Sequence, residues 1–290
     1  YDEHSHTAEN VRGFMGTIYS VLLTECAQPV ALDAIKVHLV AEDFDAGTWD
    51  DRISGLSFAN AAGIAAPTLV DGAMNGRKAL RFGITDAGSA SASGVEAPLS
   101  AHATFAAAAG QTGVTAFVAY RPIAYDTTAV APFVFDWGVY EGSGFGFQFQ
   151  ANTLGVADAI MYTPSDHGGG KLTSPSGILE AEEKTYVAAI RVKFSAGTDD
   201  PGYQLAASQD SDVAVGDIVP IGGTSLATLD ATTVSDSDGP FSFGHMAKSG
   251  ADRADRFFRG YVAEFRWYAD LLSDADVETI QRELSSAYSP

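Results

Sequence analysis

The chain has 290 residues, of which 46% are hydrophobic and 30 are Gly, with 37 acidic against 17 basic residues for a formal charge of −20. That profile fits one large globular domain with an appended segment and excludes a disordered or collagen-like chain. The charge repels phosphate backbones and anionic lipid heads, which argues against nucleic acid and membrane insertion and leaves cations and neutral sugars open.

Residues 1–34 are predicted to form an N-terminal arm or accessory segment, and 35–290 one domain. The arm opens at Tyr1 with no Met and no cationic signal segment, which points to a removed leader or to preceding residues. Its first ten residues are polar and hold His4 and His6; a tip of this kind reads as a frayed terminus. Residues 14–23 carry Ile18, Tyr19, Val21, Leu22 and Leu23, an accessory strand or short helix too short to span a membrane. Cys26 is the single cysteine, so an intrachain disulfide is impossible.

From Ile35 the pattern becomes short β-type runs separated by Gly, Pro, Asp and Ser. Strands are predicted over 35–40, 79–82, 114–120, 133–137, 144–150, 186–193, 203–207, 241–244 and 257–268. The run 186–193 is apolar on both faces and reads as a central strand covered on both sides. A helix is predicted over 274–287, N-capped by Ser273, with Asp274 and Asp276 at its positive end and Val277, Ile280, Leu284 and Ala287 on one stripe. It is the only long helix expected.

Two stretches carry a resemblance. The first is His38-Leu-Val-Ala-Glu-Asp-Phe-Asp-Ala-Gly-Thr-Trp-Asp-Asp-Arg52, continuing into Ser54-Gly55 and then Gly76-Arg-Lys-Ala-Leu-Arg-Phe82. The second is Phe258-Arg-Gly-Tyr-Val-Ala-Glu-Phe-Arg-Trp-Tyr268 followed by Leu271-Leu-Ser-Asp-Ala-Asp-Val-Glu278. In this order they resemble the opening and closing elements of the laminin-G-like, concanavalin A-like lectin-glucanase superfamily, in its bacterial and phage form. The resemblance implies an all-β, concanavalin A-like jelly-roll β-sandwich of two antiparallel sheets with one short C-terminal helix. It implies a Trp-Asp turn around Trp49, and core positions for Trp49, Trp137 and Trp267. Function does not follow from such a fold and is argued from sites.

The hydrolase branch of this superfamily carries Glu-x-Asp-x-x-Glu on one strand, and that hexad is missing, so no catalytic residue is assigned. Glu180, Glu182 and Glu183 read as a solvated turn, and Glu141-Gly-Ser-Gly-Phe145 as a hairpin turn. No cofactor is assigned beyond a candidate calcium, for which Asp199, Asp200, Asp236 and Asp238 offer hard oxygen ligands in acidic loops. Tyr125 and Tyr140 are candidate ligand-binding residues in loops, as is His167 in a loop with Gly168 to Gly170. The basic residues Lys248, Arg253, Arg256, Arg259 and Arg266 interleave with Asp252, Asp255 and Glu264, which reads as an ion-pair network.

The leading expectation is a non-catalytic structural subunit of a virion or extracellular filament, surface-exposed, with copies of itself or other subunits as partners. The arm would link subunits by adding to a neighbour's sheet edge, or else fold back on its own sandwich. The alternative is a soluble glycan-binding adhesion module, and a third reading is a polysaccharide-active enzyme.

Overall fold

The structure is a computed structural model and describes residues 35–84, 91–105, 113–123, 133–137, 146–151, 157–163, 166–173, 184–193, 202–209, 219–220, 240–245 and 257–289. All of them fall within the unit Asp33–Pro290. The predicted arm lies outside the described residues.

The strands in chain order are β1 (Ile35–Asp45), β2 (Thr48–Asp51), β3 (Ser57–Asn60), β4 (Thr68–Met74), β5 (Arg77–Phe82), β6 (Val95–Glu96), β7 (Gly113–Pro122) and β8 (Phe133–Trp137). There follow β9 (Gly146–Ala151), β10 (Ala157–Thr163), β11 (Asp166–Thr173), β12 (Tyr186–Lys193), β13 (Gly202–Gln209), β14 (Val219–Pro220), β15 (Phe241–Phe243) and β16 (Gly260–Tyr268). A 3-10 turn at Leu99–Ala101 runs into the one-turn helix α1 (His102–Phe105), and the chain closes with α2 (Asp274–Tyr288).

Hydrogen bonds link the strands in the order β11-β10-β9-β8-β15-β6-β3-β2-β1-β16-β7-β12-β13-β14, with β5 pairing β16 and β4 pairing β5. Every strand pairing is antiparallel. On a flat sheet β15 and β16, which are separated along that order by β6, β3, β2 and β1, would lie roughly 24 Å apart at about 4.8 Å per step. Yet the Phe243 and Phe265 rings meet at 5.0 Å. The ladder therefore doubles back into a sandwich, with β8 and β15 facing β16 across the core.

The space between the layers is filled by aromatics. Trp49, Trp137 and Trp267 are fully buried, as the resemblance implied. Buried indoles need partners, and Trp49 Nε1 donates to the Val40 carbonyl at 2.7 Å while Trp267 Nε1 donates to the Phe105 carbonyl at 3.1 Å. The short helix α1 was missed in the sequence because four residues carry no periodicity; it delivers Phe105, stacked on Phe241 at 4.5 Å.

Trp49 corrects one expectation. It lies within strand β2, and the turn comes afterwards. There Asp51 accepts from the His38 backbone N–H at 2.5 Å and from the Ser54 N–H and hydroxyl. Gly55 supplies the positive φ of 72°. His167 corrects another: residues 166–173 form strand β11 paired to β10, with Ile160 opposite Lys171 and Met161 opposite Gly170, where a glycine-rich loop was expected. Glycine weakens a strand but does not forbid one, and cross-strand pairing overrides the local preference.

Behind the β1-β16-β7-β12 layer lies α2. Its Val277, Ile280, Leu284 and Tyr288 are buried, and Ser273 caps it by accepting from the Asp276 N–H at 3.2 Å. The start of the helix is pinned by buried Arg191 of β12, which donates to the Leu272 carbonyl and pairs with Asp274. Predicted and observed spans differ by one residue at the end, where Tyr288 is helical and buried.

Candidate functional site

A cleft of about 410 Å³ opens where the last turns of α2 cross β1 and β16, lined by His38, Arg52, Arg77, Glu264, Arg266 and Tyr288 among others. A β-bulge creates it. On β16 Val262 lies opposite Tyr120 and Glu264 opposite Ala119, so Ala263 is the extra residue. Before the bulge Val262 points into the core, and after it Phe265 and Trp267 do. Without the bulge, alternation would send Glu264 inward with Val262; with it, Glu264 and Arg266 face outward under the helix.

On that outer face β1 presents His38 opposite Arg266 and Val40 opposite Glu264. Glu264 is 6% exposed, and both of its oxygens are engaged. Oε1 accepts from His38 Nε2 at 2.8 Å and from Arg266 Nε at 2.6 Å, and Oε2 accepts from the Tyr288 hydroxyl at 2.6 Å. Because an ionised carboxylate only accepts, His38 must carry its proton on Nε2 here.

Burial by itself pushes the Glu264 pKa up, but the His38 hydrogen bond, the Arg266 charge and the Tyr288 hydroxyl outweigh it and lower the pKa from 4.5 to about 2. Tyr288 moves the other way: burial, reinforced by the Glu264 charge and hydrogen bond, raises its pKa well above the ordinary tyrosine value. Burial works to lower the Arg266 pKa, and its bonds to Glu283 and Glu264 more than reverse that. The cleft is thus floored by a carboxylate held ionised, a phenol held protonated and a guanidinium held charged. These three groups each hold one charge state near neutrality.

One tight turn leads directly into the lining residue Arg77. Asn75 and Gly76 join β4 to β5 with φ of 47° and 74°, the Asn-Gly form of a two-residue hairpin turn. Asn75 Nδ2 reaches the Ala287 carbonyl at 3.4 Å, tying this hairpin to the end of α2. The next residue, Arg77, lays its guanidinium 5.6 Å from the centre of the Tyr288 ring. Across the mouth Arg52 pairs with Asp43, whose hydrogen bond raises the Arg52 pKa.

The sequence expectations meet this site unevenly. Tyr125, Tyr140, Asp199, Asp200, Asp236 and Asp238 lie outside the described residues. His167 sits in β11, and β11 contributes nothing to the cleft lining. Of the anticipated ion-pair group, Arg266 does meet Glu264, while Lys248, Arg253 and Arg256 lie outside the described residues. Among the described residues no group of three or more His, Cys, Asp and Glu side chains is placed to hold a metal, and no helix is long and apolar enough to cross a membrane. The cleft residues His38, Arg77 and Tyr288 were not foreseen. The readable signals were the Asn75-Gly76 pair, and Glu264 standing alone as an acid in an apolar strand.

The fold defines a class, the all-β sandwich of antiparallel strands closed by a C-terminal helix. Among solved structures the chain is similar to a mutant of Trypanosoma rangeli sialidase displaying trans-sialidase activity, at 14% identity and a TM-score of 0.53, covering 95% of this chain and 38% of that one. It is also similar to the binding domain of botulinum neurotoxin DC, solved in complex with SialylT and with rat synaptotagmin II, at 10% identity and TM-scores of 0.50 and 0.52. These cover 87% of this chain and 52% of the toxin chain. The chain therefore spans well under half of the sialidase and about half of the toxin domain. No family model and no curated protein matches it. At these identities the likeness shows the fold.

Proposed function

We propose that this chain is a glycan-binding module and that the cleft between α2 and β1-β16 is its binding site. The observation that carries this reading is the cleft itself: about 410 Å³ of polar, preorganised space whose one buried carboxylate is fully hydrogen-bonded. Sites that hold small polar ligands place a few convergent polar groups in a concavity of about this size. Because Glu264 is locked at both oxygens, the site supports binding without hydrolysis. The toxin binding domain of similar fold, solved with SialylT, lends support as a precedent for a sandwich that engages such a ligand. Glycan binding thereby replaces surface assembly as the leading reading, because the case for assembly rests on residues 1–34, which lie outside the described residues.

The test is a glycan array probed with the whole chain and with Ser286→Trp. Ser286 lines the cleft, is exposed and is not one of the hydrogen-bond partners of Glu264. Binding by the parent chain and its loss in Ser286→Trp, at an unchanged melting temperature, are expected. Binding that survives Ser286→Trp would move the site elsewhere, and release of reducing sugar from bound glycans would make the chain an enzyme.

A further inference from the structure

We infer that the cleft selects saccharides bearing a carboxylate and that Arg77 is the residue that recognises it; this deepens the glycan-binding reading and rests on it. The case begins with which charges in the cleft are already committed. Arg52 is bound to Asp43, and Arg266 is shared between Glu264 and Glu283. Arg77 is exposed, and among the described residues it contacts the Tyr288 ring and no carboxylate within ion-pair distance.

A guanidinium held over an aromatic ring commits none of its N–H donors to a carboxylate, so its fork remains able to grip one through two parallel bonds. Arg77 is also anchored at its base, since it follows the Asn75-Gly76 turn that Asn75 ties to the Ala287 carbonyl. Glu264 cannot draw Arg77 inward, because its oxygens are taken by His38, Arg266 and Tyr288.

The surroundings make the selection depend on the whole ligand. Glu42 and Glu283 stand exposed near the mouth, and the chain as a whole carries −20, so a bare anion gains little here. A sugar ring seated in the cleft supplies the remaining contacts and delivers its carboxylate to Arg77 at bonding distance. Fields from charges farther than about 8 Å are screened at physiological salt, so that contact outweighs the net charge.

The experiment uses an array on which each hexuronate- or sialate-terminated glycan stands beside its neutral parent, probed with the whole chain, Arg77→Gln and Arg77→Lys. The parent chain is expected to favour the acidic member by about tenfold or more, the scale of a charge-assisted bond. Arg77→Gln should bring that ratio to about one, and Arg77→Lys, which keeps the charge and loses the fork, should fall between. Sodium acetate should not compete at concentrations where a free acidic glycan does. If acidic and neutral members bind equally, or if the preference persists in Arg77→Gln, the inference falls while glycan binding stands. If nothing on the array binds, both fall.

Discussion

Strand β16 shows two different ways of being buried on its two faces. Toward the core it presents Phe265 and Trp267 to a cluster of rings; toward α2 it presents Glu264 and Arg266 to a network of charges. The inner face gains from removing apolar area from water, at roughly 25 cal/mol per Å², and that gain does not depend on pH. The outer face must first overcome desolvation of ions, and it is favourable only while every partner is in place. A difference of one bulged residue separates the two regimes, and it puts the chemistry of the molecule on one side and its packing on the other.

The comparison can be broken most severely from the inside. Trp267→Ala should cost about 3–5 kcal/mol, because it removes the ring that meets Phe105, Trp137 and Phe241 and leaves a cavity. Denaturant unfolding checks this, and the loss should be the same at pH 7 and pH 4.

The outer face should instead reveal itself through acid. Glu264 has a folded pKa of about 2 against an ordinary 4.5, so its stabilisation is fully present above about pH 4.5 and is lost as the pH falls toward 2. At about 1.4 kcal/mol for each pH unit, the contribution is about 3 kcal/mol. Glu264→Gln should lose about that much at pH 7 and show a flatter profile between pH 5 and 2. An unchanged acid limb would mean that the network contributes nothing.

Tyr288→Phe keeps the ring beneath Arg77 and removes only the hydroxyl bonded to Glu264, so a loss of about 2 kcal/mol is expected, as for a hydrogen bond to a charged group. Its acid transition should also move to higher pH, because Glu264 loses one of the interactions that depress its pKa. The smallest effect belongs to the helix start: Ser273→Ala removes the cap on the Asp276 N–H and the hydroxyl bond to the Asp276 carboxylate and should cost about 1 kcal/mol, without the Glu264-linked shift of the acid transition. Thermal melts at several pH values separate these two.

Much of the inner face could be read directly from the sequence. The runs at 133–137 and 186–193 coincide with β8 and β12 to the residue, because a strand apolar on both sides has few alternatives. The helix was legible from Ser273 and the Val277-Ile280-Leu284 spacing. Strands β2, β3 and β4 were not, since their exposed positions carry Asp, Asn, Thr and Gly, and it is pairing with neighbours that makes them strands.

The candidate site was hidden for a deeper reason. His38 and Glu264 are 226 positions apart in the chain, and Glu264 and Tyr288 stand on a strand and a helix whose relative placement no local pattern encodes. The sequence determined that alternation, aromatic content and Gly- and Asp-rich turns would yield a β-sandwich with a capped C-terminal helix, because those preferences act over a few neighbouring residues. The tertiary structure decided where β16 slips by one residue, which face Glu264 takes, and that Arg77 would lie over Tyr288 at the mouth of a cleft. Those outcomes depend on register and packing between distant segments, which are fixed only once the sheets close.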